Sequence, residues 1–265
     1  MNCRMLILVT FLLALTIHAQ VAPIPGHAHN DYEHDRPLTD ALANGFISVE
    51  VDVHLIDGEL FVYHDSPNAL DPERTLERLY LKPLEEHIRL NNGVVYPGHQ
   101  SPFYLMIDFK TAAGPTYEKL KLALSSYRSM LSVAANREAK SGPVKVFISG
   151  NRPVNEVLAD ASKPAGLDGR PEDLQREIPH GMMPVVSDHY ANFLSWDGKG
   201  QVDANELGSL QDFIRNAHAQ HKKVRLWGAP DTPETWKFLL DQGVDLINTD
   251  RLEAFRAFYN DYNAP

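Results

Sequence analysis

The chain has 265 residues, 43% of them hydrophobic and 23% charged, close to the globular average and enough for one barrel-sized domain rather than two. Its 35 acidic residues against 25 basic ones give a net charge of −10. Such a surface repels nucleic acid and anionic membrane at long range, so neither is expected as a partner. A small phosphorylated substrate stays compatible, because a bound metal reverses the local field.

Residues 1–20 read as a signal peptide. Arg4 supplies a positive charge, Met5 to Ile17 is an almost unbroken apolar run too short to span a bilayer, and His18-Ala19-Gln20 ends it at a small residue. The expected product is secreted or periplasmic. The only cysteine, Cys3, falls inside that segment, so the mature chain, residues 21–265, has no disulfide, no cysteine nucleophile and no cysteine-bound zinc. Losing Arg4 leaves 24 basic residues against 35 acidic ones, or −11. No later apolar run approaches a membrane span, so stable membrane insertion is not expected.

From residue 21 onward, short apolar runs alternate with amphipathic stretches. The expected strands are Ile24–Gly26, Ile47–His54, Phe103–Lys110, Val144–Ser149, Pro164–Leu167, Met183–Ser187, Val224–Trp227 and Val244–Asn248. The expected helices include Leu38–Asn44, Tyr117–Val133, Val154–Asp160, Ala204–Ala219, Thr232–Gln242 and Arg251–Tyr259, the fifth announced by Asp231-Thr232 ahead of Pro233. Asp57-Gly58 marks a hairpin turn added to the second strand. Strand after helix after strand implies parallel pairing, and eight such strands imply a closed (β/α)8 TIM barrel of a single domain.

The second strand, Ile47-Ser-Val-Glu-Val-Asp-Val-His54, carries the most chemistry. Alternation sends Ile47, Val49, Val51 and Val53 to one face and Ser48, Glu50, Asp52 and His54 to the other, toward the lumen. Carboxylates stacked in a lumen repel one another and lose hydration. A hard divalent cation answers both costs, which points to Mg²⁺ or Ca²⁺ on oxygen ligands. A half-exposed edge strand would alternate in the same way, but the helix–strand rhythm on both sides argues for the lumen. In the third strand Asp108 and Lys110 fall on one face near the C-terminal end, where barrel enzymes carry their active residues. Asp108 is expected as a further ligand and Lys110 as a point charge for a phosphate oxygen.

Histidines flank these strands: His27-Ala-His29-Asn-Asp31 after the first strand, and His64-Asp65 after the hairpin. Cleaving a phosphodiester near neutral pH takes one group to remove a proton from the attacking hydroxyl and another to protonate the leaving alkoxide, and imidazole suits both tasks.

In order, His27-Ala-His-Asn-Asp31, Glu50-Val-Asp52, Asp57-Gly58, Tyr63-His64-Asp65 and Asp108-Phe-Lys110 resemble the glycerophosphodiester phosphodiesterase group of the phospholipase C-like phosphodiesterases. A fainter likeness continues through Arg225-Leu-Trp227 and Asn248-Thr-Asp250. The resemblance implies a (β/α)8 barrel with one divalent metal on Glu50, Asp52 and Asp108, an acid/base pair of His27 and His64, and Lys110 on the phosphate. Ala28 stands where family members carry arginine, and Asp108 where most carry glutamate. That aspartate and Asn30-Asp31 look more like the sphingomyelinase D branch. His29, His54 and Trp227 are expected to touch substrate, a small phosphodiester or a lysophospholipid. Two other readings stand beside this one. One is a zinc amidohydrolase using His27, His29, His189 and Asp250; the other is a barrel that binds without catalysis.

Overall fold

The computed structural model of the protein describes residues 21–132 and 142–264. The expected leader and the expected helix end at Val133 lie outside the described residues. Nine strands form one sheet: β1 (Ile24–Ala28), β2 (Phe46–Ile56), β3 (Glu59–Val62), β4 (Phe103–Phe109), β5 (Val144–Gly150), β6 (Gly166–Gly169), β7 (Val185–His189), β8 (Lys223–Trp227) and β9 (Leu246–Thr249). Their order is β1-β9-β8-β7-β6-β5-β4-β2-β3, and β1 also pairs with β2. Eight strands therefore close in parallel into a barrel, and β3 is an antiparallel extension of β2. The Asp57-Gly58 turn has φ 49° and 79°, both positive, as a two-residue hairpin matched to strand twist requires.

The intervening helices are α1 (Thr39–Ala43), α2 (Lys82–Leu90), α3 (Ala113–Ser125), α4 (Val154–Ala159), α5 (Ala204–Ala219), α6 (Pro233–Gln242) and α7 (Leu252–Tyr262). After β6 a 3₁₀ turn at Pro171–Arg176 takes the place of a full helix. Caps explain several boundaries. The Asp203 side chain accepts from Asn205 and Glu206 N–H at the start of α5, and the Thr232 hydroxyl accepts from Thr235 N–H at α6. Gly243, at φ 92°, ends α6.

All eight expected strands are present. Pro164–Leu167 is displaced two residues toward its C terminus, because Pro164 has no N–H to give to a central ladder. The helix expected over Tyr117–Val133 instead begins at Ala113, with Gly114-Pro115 in its first turn, and ends at Ser125. Leu131 then leaves the helical path to bridge Val144 beside β5.

Packing divides the barrel into three zones. Val49, Val51 and Val53 point outward into the main core with Leu105, Ile107, Val146, Ile148 and the helix faces. Inside, Tyr104, Met106, Phe147, Val185 and Leu246 form a small apolar plug toward the N-terminal strand ends. Ile47, at the irregularity in β1–β2 register, packs against the main core as expected and against this plug as well. Above the plug the lumen turns polar: His27, Ser48, Glu50, Asp52, Ser149, Asp168, Ser187 and Arg225 are all buried there. That polar layer opens at the C-terminal strand ends. No helix among the described residues is long and apolar enough to cross a membrane.

Candidate active site

Parallel register builds the acidic centre. β2 and β4 run side by side with Asp52 opposite Asp108 and Glu50 opposite Met106, so Glu50, Asp52 and Asp108 converge with ligand oxygens within 4.8 Å of one another. Gly150, at φ 65° on the neighbouring strand, makes room: a Cβ there would land on Asp108 Oδ1. Lys110 Nζ sits between Asp52 Oδ2 at 2.9 Å and Asp108 Oδ1 at 3.0 Å. Burial and the charges of Asp52 and Glu50 push the Asp108 carboxyl up despite Lys110. Burial also works against an ionised Glu50, but its contacts with His27 and Arg225 outweigh that and hold it at about 2.

Asp52 shows what the triad is shaped for. Its Oδ2 accepts from Tyr32 O–H at 2.7 Å, Lys110 Nζ at 2.9 Å and His64 Nδ1 at 3.0 Å. Its Oδ1 is buried with no hydrogen-bond partner. A buried carboxylate oxygen without a donor is costly, and here it belongs to a cluster of three anionic oxygen groups. A hard divalent cation fits that donor set, with Glu50, Asp52 and Asp108 holding it. Among the described residues no second group of histidine, cysteine and carboxylate ligands converges in this way.

The histidines take different places around this centre. His29 Nδ1 meets Asp250 Oδ1 at 2.8 Å, and His64 Nδ1 meets Asp52 Oδ2 at 3.0 Å. In each pair the carboxylate holds the proton on Nδ1 and leaves Nε2 bare. Burial lowers the affinity of His29 for its proton, but the Asp250 contact and the Glu50 charge outweigh it and raise its pKa. Both rings line one cleft of about 470 Å³, with Glu50, Asp108, Lys110, Arg170, Arg225 and Trp227 in its walls.

His27 lies beneath this cleft. It is fully buried, with Nδ1 2.7 Å from Ser48 Oγ and Nε2 3.1 Å from Arg225 Nη1 and 3.3 Å from Glu50 Oε2. Burial and the Arg225 charge lower its pKa to about 4, so the ring is neutral. The guanidinium can only donate and the Glu50 carboxylate can only accept, so Nε2 serves one of them at a time and Nδ1 takes the complementary role toward the Ser48 hydroxyl. Both ring nitrogens are thus engaged inside the protein, an arrangement unlike that expected of an acid/base histidine.

Other expectations fall at definite places. Trp227 does face the cleft, its ring edge-on to His189 at 4.2 Å. His54 does not: it is buried, with Nε2 3.3 Å from the His64 carbonyl, so it braces the His64 loop instead of reaching a substrate. The zinc reading needs His27, His29, His189 and Asp250 around one ion. His29 instead pairs with Asp250, His27 is sealed below, and His189 caps the turn after β7 by accepting from Ala191 N–H.

Three further contributors emerge from the fold. Tyr32 anchors Asp52 from the turn after β1. Arg225, 4% exposed, joins Glu50 (3.2 Å), Asn248 Oδ1 (2.8 Å) and Ser187 Oγ (3.1 Å). Asp168, fully buried on β6, accepts from Ser149 Oγ (2.9 Å), Ser187 Oγ (2.6 Å) and Arg170 Nη1 (2.8 Å). Alternation along β8 already put Arg225 on the face of Trp227. Gly-Leu-Asp-Gly-Arg170 carried no comparable signal, since its two-strand register depends on neighbours remote in sequence.

The protein is thus a parallel (β/α)8 barrel closed over an apolar plug, with an acidic triad and two histidine–aspartate pairs at its C-terminal mouth. The chain belongs to the AIM6-like phosphodiesterase domain family, which matches residues 15–164. It is 29% identical over 272 residues to the altered inheritance of mitochondria protein 6 homolog of Arthroderma benhamiae, covering 90% of this chain and 85% of that one. To the protein of that name from Candida glabrata it is 31% identical, over 88% of this chain and 69% of the relative. In fold it is similar to a glycerophosphodiester phosphodiesterase from Parabacteroides distasonis (TM-score 0.57, 18% identity, 92% of this chain and 99% of the other). It is also similar to an Oleispira antarctica phosphodiesterase in complex with the product sn-glycerol-3-phosphate (TM-score 0.53, 16% identity, 90% and 97%).

Proposed function

We propose that this protein is a metal-dependent phosphoric diester hydrolase or cyclising lyase acting on small glycerophosphodiesters or lysophospholipids, with His29 and His64 as its acid/base pair. The observation that carries the reading is two histidine–aspartate dyads, His29–Asp250 and His64–Asp52, on one cleft over a carboxylate triad. Bound there, Mg²⁺ or Ca²⁺ would neutralise phosphate charge and stabilise the charge that develops as the ester breaks. His27 takes a supporting role below, fixing Arg225 and through it Glu50. The glycerol 3-phosphate held by the Oleispira protein agrees with a substrate of this size.

In the proposed reaction, one imidazole Nε2 takes the proton from the attacking hydroxyl as its oxygen bonds to phosphorus. The other, protonated, gives its proton to the ester oxygen as the P–O bond breaks. Lys110, held by Asp52 and Asp108, adds positive charge beside the phosphate. Where the substrate carries a hydroxyl next to the ester oxygen, that tethered hydroxyl attacks with less entropy loss than a separate water, giving a five-membered cyclic phosphate. Water then opens it with the two histidines exchanging roles. If the leader is an export signal, this chemistry takes place outside the cytoplasm.

The deciding experiment is turnover of bis(p-nitrophenyl) phosphate and glycerophosphocholine with and without EDTA. The proposal expects EDTA to abolish turnover and Mg²⁺ or Ca²⁺ to restore it. Turnover indifferent to EDTA would remove the metal from the scheme. Binding without turnover of either diester would make the protein a non-catalytic module.

A further inference from the structure

The cations around the cleft are not equivalent. Lys110 is already shared between two carboxylates, Asp52 and Asp108. Arg225 is buried, and its contacts run to Glu50, Asn248, Ser187 and His27. Arg170, at the end of β6, is different. Its Nη1 donates to Asp168 Oδ2 at 2.8 Å and to the Gly169 carbonyl at 2.9 Å, and its Nη2 donates to Ser149 Oγ at 3.2 Å. Those three bonds lock the guanidinium plane but use only three of its five N–H groups. Nε–H and one Nη2–H have no partner among the described contacts, and the side chain, 23% exposed, forms part of the cleft wall.

Its position suits a ligand that also meets the acidic triad. Ser149, which Arg170 touches, is the register partner of Asp108 on the adjacent strand. Arg170, Ser149, Asp108 and Glu50 line the same cleft, so a ligand seated there meets the guanidinium on one side and the carboxylates on the other. Charge agrees. Lys110, Arg170 and Arg225 stand against Glu50, Asp52, Asp108 and Asp168, one net negative charge. A divalent cation turns this into one positive charge, which a phosphodiester monoanion cancels. The shared buried Asp168, 3.8 Å from Arg225 and 2.8 Å from Arg170, keeps both guanidinium groups fixed before any ligand arrives.

We infer that Arg170 is the phosphate-binding arginine of this cleft, donating from Nε and Nη2 to the non-bridging phosphate oxygen that faces away from the carboxylate triad. The inference rests on reading the cleft as a phosphodiester site, but its test does not need turnover.

Inorganic phosphate is titrated calorimetrically into Mg²⁺-loaded protein, and Mg²⁺ into metal-free protein, for wild type, Arg170→Met and Arg170→Lys. Arg170→Met should weaken phosphate binding at least tenfold and lower kcat/KM on bis(p-nitrophenyl) phosphate about 100-fold, with Mg²⁺ affinity within twofold of wild type. Arg170→Lys keeps the charge beside Asp168 but not the two-pronged geometry, and should recover only part of the loss. If Arg170→Met does not fold, Arg170→Lys carries the test, with a three- to tenfold loss of phosphate affinity expected. Phosphate affinity within twofold of wild type in every folded variant overturns the assignment, as does a wild type that binds no phosphate. A wild type that binds phosphate through Arg170 yet cleaves no diester leaves the assignment standing and removes the hydrolase reading instead.

Discussion

Replacing Asp52 with asparagine tests the acidic centre at its most exposed assumption. In the native side chain, Oδ2 accepts three hydrogen bonds while Oδ1 is buried and unpartnered. Asparagine of the same shape must keep its oxygen toward Tyr32, Lys110 and His64, since the amide NH₂ cannot accept from them. The NH₂ then occupies the Oδ1 position and puts donors where the native side chain leaves a buried bare oxygen in the cluster with Glu50 and Asp108. A cation there loses one charge and one ligand and gains a repulsive dipole. The readout is thermal. A ligand present at 100 times its Kd stabilises the native state by about 2.7 kcal/mol. At about 2–4 °C per kcal/mol for a domain of this size, wild type should gain about 5–10 °C in Tm on saturation with Mg²⁺ or Ca²⁺. Asp52→Asn should gain under about 2 °C at the same concentration, while Asp250→Asn, outside the triad, should keep the full shift. A wild type that neither ion stabilises, or an Asp52→Asn protein with the wild-type shift, would refute the reasoning.

Two other expectations follow from the same geometry. His29→Ala and His64→Ala should each lower kcat by about 10²–10⁴-fold, because each removes a bare Nε2 from the cleft; His27→Gln should instead show its main effect as weaker metal binding in titration, and a collapse of kcat for His27→Gln beside a near-normal His29→Ala would reverse the roles. Asp31, buried by Tyr80 and the Leu38 N–H, has its carboxyl pushed up to about 6 by desolvation, against those two hydrogen bonds. Its folded pKa exceeds the unfolded value of about 3.9, so folding holds the proton more tightly: the ionisation penalty is absent below about pH 4, grows as pH rises to about 6 and is then constant at roughly 3 kcal/mol. Denaturant unfolding of Asp31→Asn and wild type between pH 4 and 8 should therefore diverge across that window, and parallel profiles would show that Asp31 is not the source.

Strand identity was legible because barrel strands are short apolar runs with strong punctuation, and alternation along β2 and β4 put Glu50, Asp52 and Asp108 on the face where their oxygens converge. Alternation cannot rank residues along the lumen axis, however. His27 and His29 have the same parity on and just beyond β1, yet His27 is sealed against Ser48 and His29 stands in the cleft. Depth is set by register with β2 and β9, which pairs His27 with Ser48 and Asn248, and no local pattern encodes that register. His54 failed for a related reason: it has the right face, but it lies in the part of β2 that pairs with β3, where its ring meets the His64 carbonyl.

Arginines were harder to read than carboxylates, and the reason is physical. An acidic pair on a strand is conspicuous because burial makes it expensive alone, whereas a buried arginine becomes tolerable once its carboxylate arrives from elsewhere in the chain. Arg225 meets Glu50 from 175 residues away, and Asp168 ties both Arg170 and Arg225 to serines on β5 and β7. The polar layer is therefore a neutralising network whose members are distributed over all eight barrel strands. It holds the triad's repulsion in check without a ligand, while the unpartnered Asp52 oxygen and the two idle N–H groups of Arg170 mark its unfinished positions. Arg170 lines the cleft together with Glu50 and Asp108, beneath which Asp52 is buried: the carboxylate side calls for a cation, the guanidinium side for an anion, and a metal-bound phosphate ester supplies both at once.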